Sequence, residues 1–61
     1  MTVNTSKGKI TADKAVLNAI SIAFLDAARS YKDEGLYELA NYYNRISEEI
    51  YISLEEAGYY D

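Results

Sequence analysis

Few residues in this chain have the types and spacing to do chemistry. Four carboxylates near the C-terminus form two pairs seven residues apart, Glu48 with Glu55 and Glu49 with Glu56. On a helix that spacing puts each pair on one face, where it could hold a divalent cation or divide acid–base work. Nothing in the neighbouring sequence promises a pocket around them, so a solvated face is the expectation. Ser21, Ser30, Ser47 and Ser53 would need an adjacent base to act as nucleophiles. The sequence has no His and no Cys, and those serines show no paired base. A zinc site would have to be built from carboxylates alone. Lys7-Gly8-Lys9 lacks the spacing of a phosphate-binding loop. The chain is therefore expected to be no enzyme and to need no metal or cofactor.

The elements that would position these residues are helical. The chain has 61 residues and no Pro, so it is one domain at most and no helix is interrupted from within. Leu17, Ile20, Phe24, Ala27 and Tyr31 recur at alternating spacings of three and four, one face of a helix. Val16, Ala23 and Ala28 widen that face. The spacing predicts a first helix over about 12–33, with Thr11 as N-cap and Asp13 in the first turn, where negative charge suits the dipole. Lys32-Asp33-Glu34-Gly35 reads as the turn, with Gly35 at C′, Leu36 at C″ and Tyr31 at C3. A second helix follows over about 36–57, its stripe made by Leu36, Leu39, Tyr43, Ile46, Ile50, Leu54 and Ala57, with Ala40 and Ser47 beside it. Gly58 repeats the stop signal, and Tyr59-Tyr60-Asp61 reads as a short exposed tail. Residues 1–10 are polar and aperiodic and read as a flexible arm, with too little alternation at Val3 and Thr5 for a strand. The expected fold class is all-α: a 1–10 arm, then an antiparallel two-helix hairpin over 11–61 that dimerises into a four-helix bundle.

The turn carries a resemblance. Phe24, Ala28, Tyr31, Gly35, Tyr37, Ala40 and Tyr43 are spaced like the signature of a tetratricopeptide repeat, and Ser47 stands where that repeat wants a small residue. The helical hairpin of MIT domains has a similar Gly-x-Tyr-x-x-Ala turn. The match covers residues 24–47. Ile52 replaces the usual Pro after the second helix, the first helix extends about three turns upstream, and a repeat array would need about three units. The resemblance implies hairpin geometry and a protein-binding role without supplying a peptide groove. In size and layout the chain is also similar to the ROP-type proteins, which dimerise into four-helix bundles.

Helix 1 is apolar on more sides than one partner helix can cover. Ala12, Ala15, Ala19 and Ile22 make a second seam, Leu25 lies on the far side as well, and Asp26 and Arg29 end it. A helix that is hydrophobic nearly all round is buried on more than one side, so these seven residues are the expected self-association surface, with Asp26 and Arg29 pairing across a two-fold axis. Ala alone could be a good helix former on a wet surface; Ile22 with Leu25 is not explained that way. On helix 2, Ile52 interrupts the polar face and Tyr37 borders it. Seven Tyr is a high count, and Tyr is enriched at interfaces. The expected partner-binding residues are Tyr37, Ile52, Glu48, Glu49, Glu55, Glu56, Tyr59 and Tyr60, with Tyr42 and Tyr51 as further recognition candidates.

Charge narrows the partners. The net charge is −4. Lys7, Lys9 and Lys14 against Asp13 leave residues 1–14 positive, whereas residues 36–61 set Arg45 against six carboxylates. A nucleic-acid binder normally shows the opposite overall sign. Asp13, Lys14, Asn18 and Asp26 within the most apolar stretch exclude a membrane span, and Met1 to Lys9 lack the apolar run of a secretory signal. A cytoplasmic location is expected. The leading expectation is a small regulatory or inhibitory protein acting through protein–protein contact, as a homodimer. The alternatives are an RNA-binding bundle of the ROP type, an acidic mimic of nucleic acid, and a structural subunit of a larger complex.

Overall fold

The computed structural model describes residues 1–61 and places four elements: strands β1 (Thr2–Thr5) and β2 (Gly8–Thr11), then helices α1 (Lys14–Asp33) and α2 (Tyr37–Glu56). It is a small, predominantly α-helical domain with two helices and a minor β-hairpin.

The hairpin corrects the expectation of a flexible arm. β1 and β2 pair antiparallel with Val3 opposite Ile10 and Asn4 opposite Lys9. Alternation across a strand turns Val3 inward, 1 % exposed, while Thr2 and Asn4 stay outside. The tight connection is organised by Thr5, whose hydroxyl donates to the Gly8 carbonyl at 2.7 Å and accepts from the Lys7 N–H at 3.1 Å. Gly8 sits at φ 135, a value that excludes most side chains. The inward face is short, one buried Val and one half-buried Ile, so it left no legible period in the sequence.

The hairpin also moves the start of α1. Thr11 belongs to β2, not to a cap. Ala12 donates to the Met1 carbonyl at 3.1 Å and its own carbonyl accepts from the N-terminal ammonium at 3.0 Å, extending the ladder. Asp13 is the N-cap, with extended backbone and no side-chain hydrogen bond. The helix ends as expected. Gly35 at φ 80 is C′, its N–H donates to Lys32 O at 3.0 Å, and Leu36 N–H donates to Tyr31 O at 2.9 Å, the double bond pattern of a Schellman stop. Leu36 is also the residue capping α2 and offers it no side-chain acceptor. Gly58 and Tyr59 repeat the stop, donating to Glu55 O and Leu54 O, both at 3.0 Å.

α1 and α2 lie antiparallel along a seam of small residues. Ser21 and Ala28 of α1, and Ala40, Ser47 and Leu54 of α2, recur at heptad spacing and are buried, with Leu17. Ser21 and Ser47 stand equally far on either side of Glu34 and clasp each other: the Ser47 hydroxyl donates to Ser21 O at 2.7 Å and the Ser21 hydroxyl to Ser47 O at 3.0 Å. The seam is therefore rotated from the predicted one. Ile20, Phe24, Ala27 and Tyr31 are only half-buried, Val16 is 47 % exposed, and Ala23, Leu36, Leu39 and Ala57 are exposed. Large residues flank the seam because small ones let the helices approach.

The core is Val3, Leu17, Ile46, Ile50 and Leu54, with Ile10, Ala12, Ile20 and Phe24 packed against it. It lies between the two helices and the β-hairpin, whose β1 strand packs against α2 as a second layer. Each fully buried Leu or Ile contributes about 1.5–3 kcal/mol, so one added valine is a substantial part of so small a core. Beyond it, Tyr43 stacks on Tyr31 at 5.5 Å and meets the edge of Phe24 at 5.1 Å.

Candidate binding surface

The β-hairpin divides the helix pair into a covered side and an open one. On the covered side, α2 presents Tyr42, Ile46, Glu49 and Ile50. Glu49 accepts from the Ser6 N–H at 2.6 Å and from the Ser6 hydroxyl at 2.7 Å, which ties the hairpin turn to α2. Charge-assisted bonds of this kind are the stronger class. Glu49, expected at a partner surface, is thus half-buried and committed to the fold. Lys7 adds a cation over the Tyr42 ring at 5.4 Å from its centre.

Turned the other way are Asn18, Ile22, Leu25, Arg29 and Lys32 of α1, and Tyr37, Asn41, Asn44, Glu48 and Tyr51 of α2. They wall two concavities, about 260 Å³ near the turn and about 600 Å³ toward the termini, which share Leu25 and Asn44 and so form one groove. Its floor is the seam itself: Ala28 and Ala40 in the first part, Ser21 and Ser47 in the second. The serine hydroxyls satisfy one another, and no buried side-chain polar atom lacks a partner.

The tail closes the far end of the groove. Tyr60 donates its hydroxyl to Asn18 Oδ1 at 2.6 Å, and its ring lies 5.1 Å from Tyr51 and 5.2 Å from Tyr59. The tail is exposed, as expected, and folds back so that Tyr60 meets α1 and α2. The Tyr60 phenol is pushed above its ordinary pKa, chiefly by desolvation, then by Tyr51, Tyr59 and Glu55 nearby.

Of the predicted self-association surface, Ala15, Ala19, Ile22, Leu25, Asp26 and Arg29 are exposed on α1. Ala12 is not among them: it precedes the helix and packs into the core, because the hairpin draws it inward. Of the predicted partner residues, Tyr37, Glu48 and Tyr60 reach the groove, Tyr59 packs on Tyr60, and Ile52, Glu55 and Glu56 stand exposed. Asn18 and Asn44 were missed. A lone Asn on an amphipathic helix carries no signal of its own until the register of the two helices is known.

The solvent-accessible surface is 4214 Å² for a 6.9 kDa chain, close to the ~4,000 Å² that size scaling gives for a monomer of this mass. The total area is therefore ordinary, and exposed apolar residues lie on several faces, Leu36, Tyr37, Leu39 and Tyr42 around the turn among them. Ile22 is 55 % exposed, with Leu25, Tyr51 and Tyr60 around it, whereas scattered apolar residues are the norm for a monomer surface. No group of three or more Asp or Glu is placed to hold a metal ion, and no helix is long and apolar enough to cross a membrane. Comparison with protein families, with curated proteins and with solved structures finds no match to this chain.

Proposed function

We propose that the chain is a small non-enzymatic regulatory or inhibitory protein that acts through protein–protein contact. It works as a homodimer joined through the bare side of α1, on which Ala15, Ala19, Ile22, Leu25, Asp26 and Arg29 lie. One observation carries this reading: Ile22, 55 % exposed, adjoins Leu25 on the side of the helix pair that the β-hairpin leaves uncovered. An apolar cluster of this kind is stabilised when a second surface removes it from water, by about 25 cal/mol per Å². The tetratricopeptide-like spacing around Gly35 favours the same class of role. Once the dimer has formed, Ile52 and Glu56 on the outer face of α2 remain for the regulated partner.

RNA binding is the weaker reading. Affinity for phosphates comes from several cations acting together, and the groove has only Arg29 and Lys32, with Glu48 at its other end.

Ile22→Glu tests the proposal. It is expected to halve the mass in solution while the far-UV circular dichroism stays helical. Unchanged mass and unchanged melting would remove this surface from the account.

A further inference from the structure

We propose that the surface where the β-hairpin turn meets the first turns of α2 binds a protein partner through an acidic segment, one that sets a large apolar side chain beside carboxylates. The inference rests on the protein-contact reading and names the partner's chemistry. The surface is separate from the proposed dimer contact: Ile22 and Leu25 line none of it.

Three concavities meet at the exposed Tyr42. The largest, about 780 Å³, is walled by Leu36, Leu39, Tyr42 and Tyr43, and both leucines are exposed. The second, about 310 Å³, lies between the hairpin turn and the helices, with Phe24, Tyr43 and Ile46 from the helices and Lys7 and Lys9 from the hairpin. The third puts Arg45 beside Lys7 and Tyr42. Apolar walls thus adjoin a cationic border, the layout of an interface core with its polar rim. Lys7 Nζ lies 5.4 Å from the centre of the Tyr42 ring, so cation and ring belong to one surface.

Charge selects the occupant. Lys7, Lys9 and Arg45 are exposed, and against these three cations the linings hold one carboxylate, Glu38. Glu49, next along α2, is engaged by Ser6. Asp33 and Glu34 line none of the three concavities. In a chain of net charge −4 this local cationic excess favours a partner that carries carboxylates, which it steers and orients. A nucleic acid fits less well. Its bases stack on free ring faces, whereas Leu36 and Leu39 are aliphatic and Lys7 lies over the Tyr42 ring. A peptide's Leu or Phe fills the large concavity while its flanking Asp or Glu meets the cations.

The test is selection from a displayed library of random peptides against the full chain, followed by amide shift mapping and anisotropy titration of the best peptide. The selected peptides are expected to combine Asp or Glu with Leu, Phe or Tyr, and to shift Lys7, Lys9, Leu39 and Tyr42. Tyr42→Ala, and Lys9→Glu together with Arg45→Glu, are each expected to weaken binding by ~10-fold or more with helicity retained. Ile22→Glu, which removes the proposed dimer contact, is expected to bind as the wild type does. A wild-type monomer that still binds such a peptide therefore removes the homodimer and leaves this inference standing. No enriched peptide, enriched peptides without carboxylates, or shifts confined to Ile22 and Leu25 would overturn it and leave the homodimer untouched. Tighter binding of single-stranded oligothymidylate at the same residues would assign the surface to nucleic acid, and the same shifts raised by protein concentration alone would assign it to a second copy; either result overturns the acidic partner.

Discussion

Replacing Val3 with Ala separates two views of the N-terminal residues, a loose arm or one side of the core. Val3 is 1 % exposed and touches the cluster of Leu17, Ile46, Ile50 and Leu54. The substitution removes two carbons, at about 0.8 kcal/mol each in transfer, and leaves a small void that the surrounding helices fill only in part. The expected loss is about 2 kcal/mol. For a chain of this length total stability is on the order of 3–9 kcal/mol, so the loss is large in proportion. It corresponds to a drop of roughly 8–16 °C in melting temperature for a domain of this size. Val16→Ala is the matched control. The same chemical change at a position 47 % exposed on α1 is expected to stay within about 0.5 kcal/mol, helped by the better helix propensity of Ala. Urea denaturation followed by circular dichroism measures both. Equal effects at the two positions, or a larger one at Val16, would refute the placement of the hairpin in the core.

Three other outcomes are expected. Glu49→Ala removes both acceptors from Ser6 and should cost about 1–2 kcal/mol, with faster amide exchange at Ser6; unchanged exchange would mean the clasp does not hold the turn. Ser21→Ala and Ser47→Ala should each cost about 0.5–1.5 kcal/mol, and the double variant clearly less than the two added, because the pair is replaced by apolar groups of similar shape; strict additivity would deny the coupling. The Tyr60 phenol has a raised pKa in the folded chain, so its docking contributes fully below the unfolded value and is lost as pH rises through the folded one. Absorbance titration should show a tyrosine step raised from the ordinary value of 10.0, accompanied by release of the tail and absent from Tyr60→Phe; the same raised step in Tyr60→Phe would assign it to another tyrosine.

The helical part of this fold was legible because its signals are redundant. Stripes at spacings of three and four run through both helices, and Gly35 and Gly58 stop them with the bonds that their positions imply. The rotation of the seam was not legible. Hydrophobic spacing ranks Ile20 and Ala27 above Ser21 and Ala28, but close helix approach favours the small pair, and the Ser21–Ser47 clasp gives polar residues a reason to be buried. The β-hairpin was hidden for a different cause: strands of four residues show too little alternation, and their inward residues gain meaning only against α1 and α2. The same omission explains Glu49 and Ala12, which were expected at surfaces until their contacts with the hairpin and core were known. Ile22 and Leu25 were legible as surplus apolar residues, and they remain so in the folded chain.

The most direct test of the proposed role is the mass of the wild-type chain by sedimentation equilibrium over a wide concentration range. The account predicts a species of twice 6.9 kDa that dissociates on dilution as one two-state equilibrium. A folded species of 6.9 kDa at every concentration would contradict it, because Ile22 and Leu25 would then be exposed without a second copy to cover them.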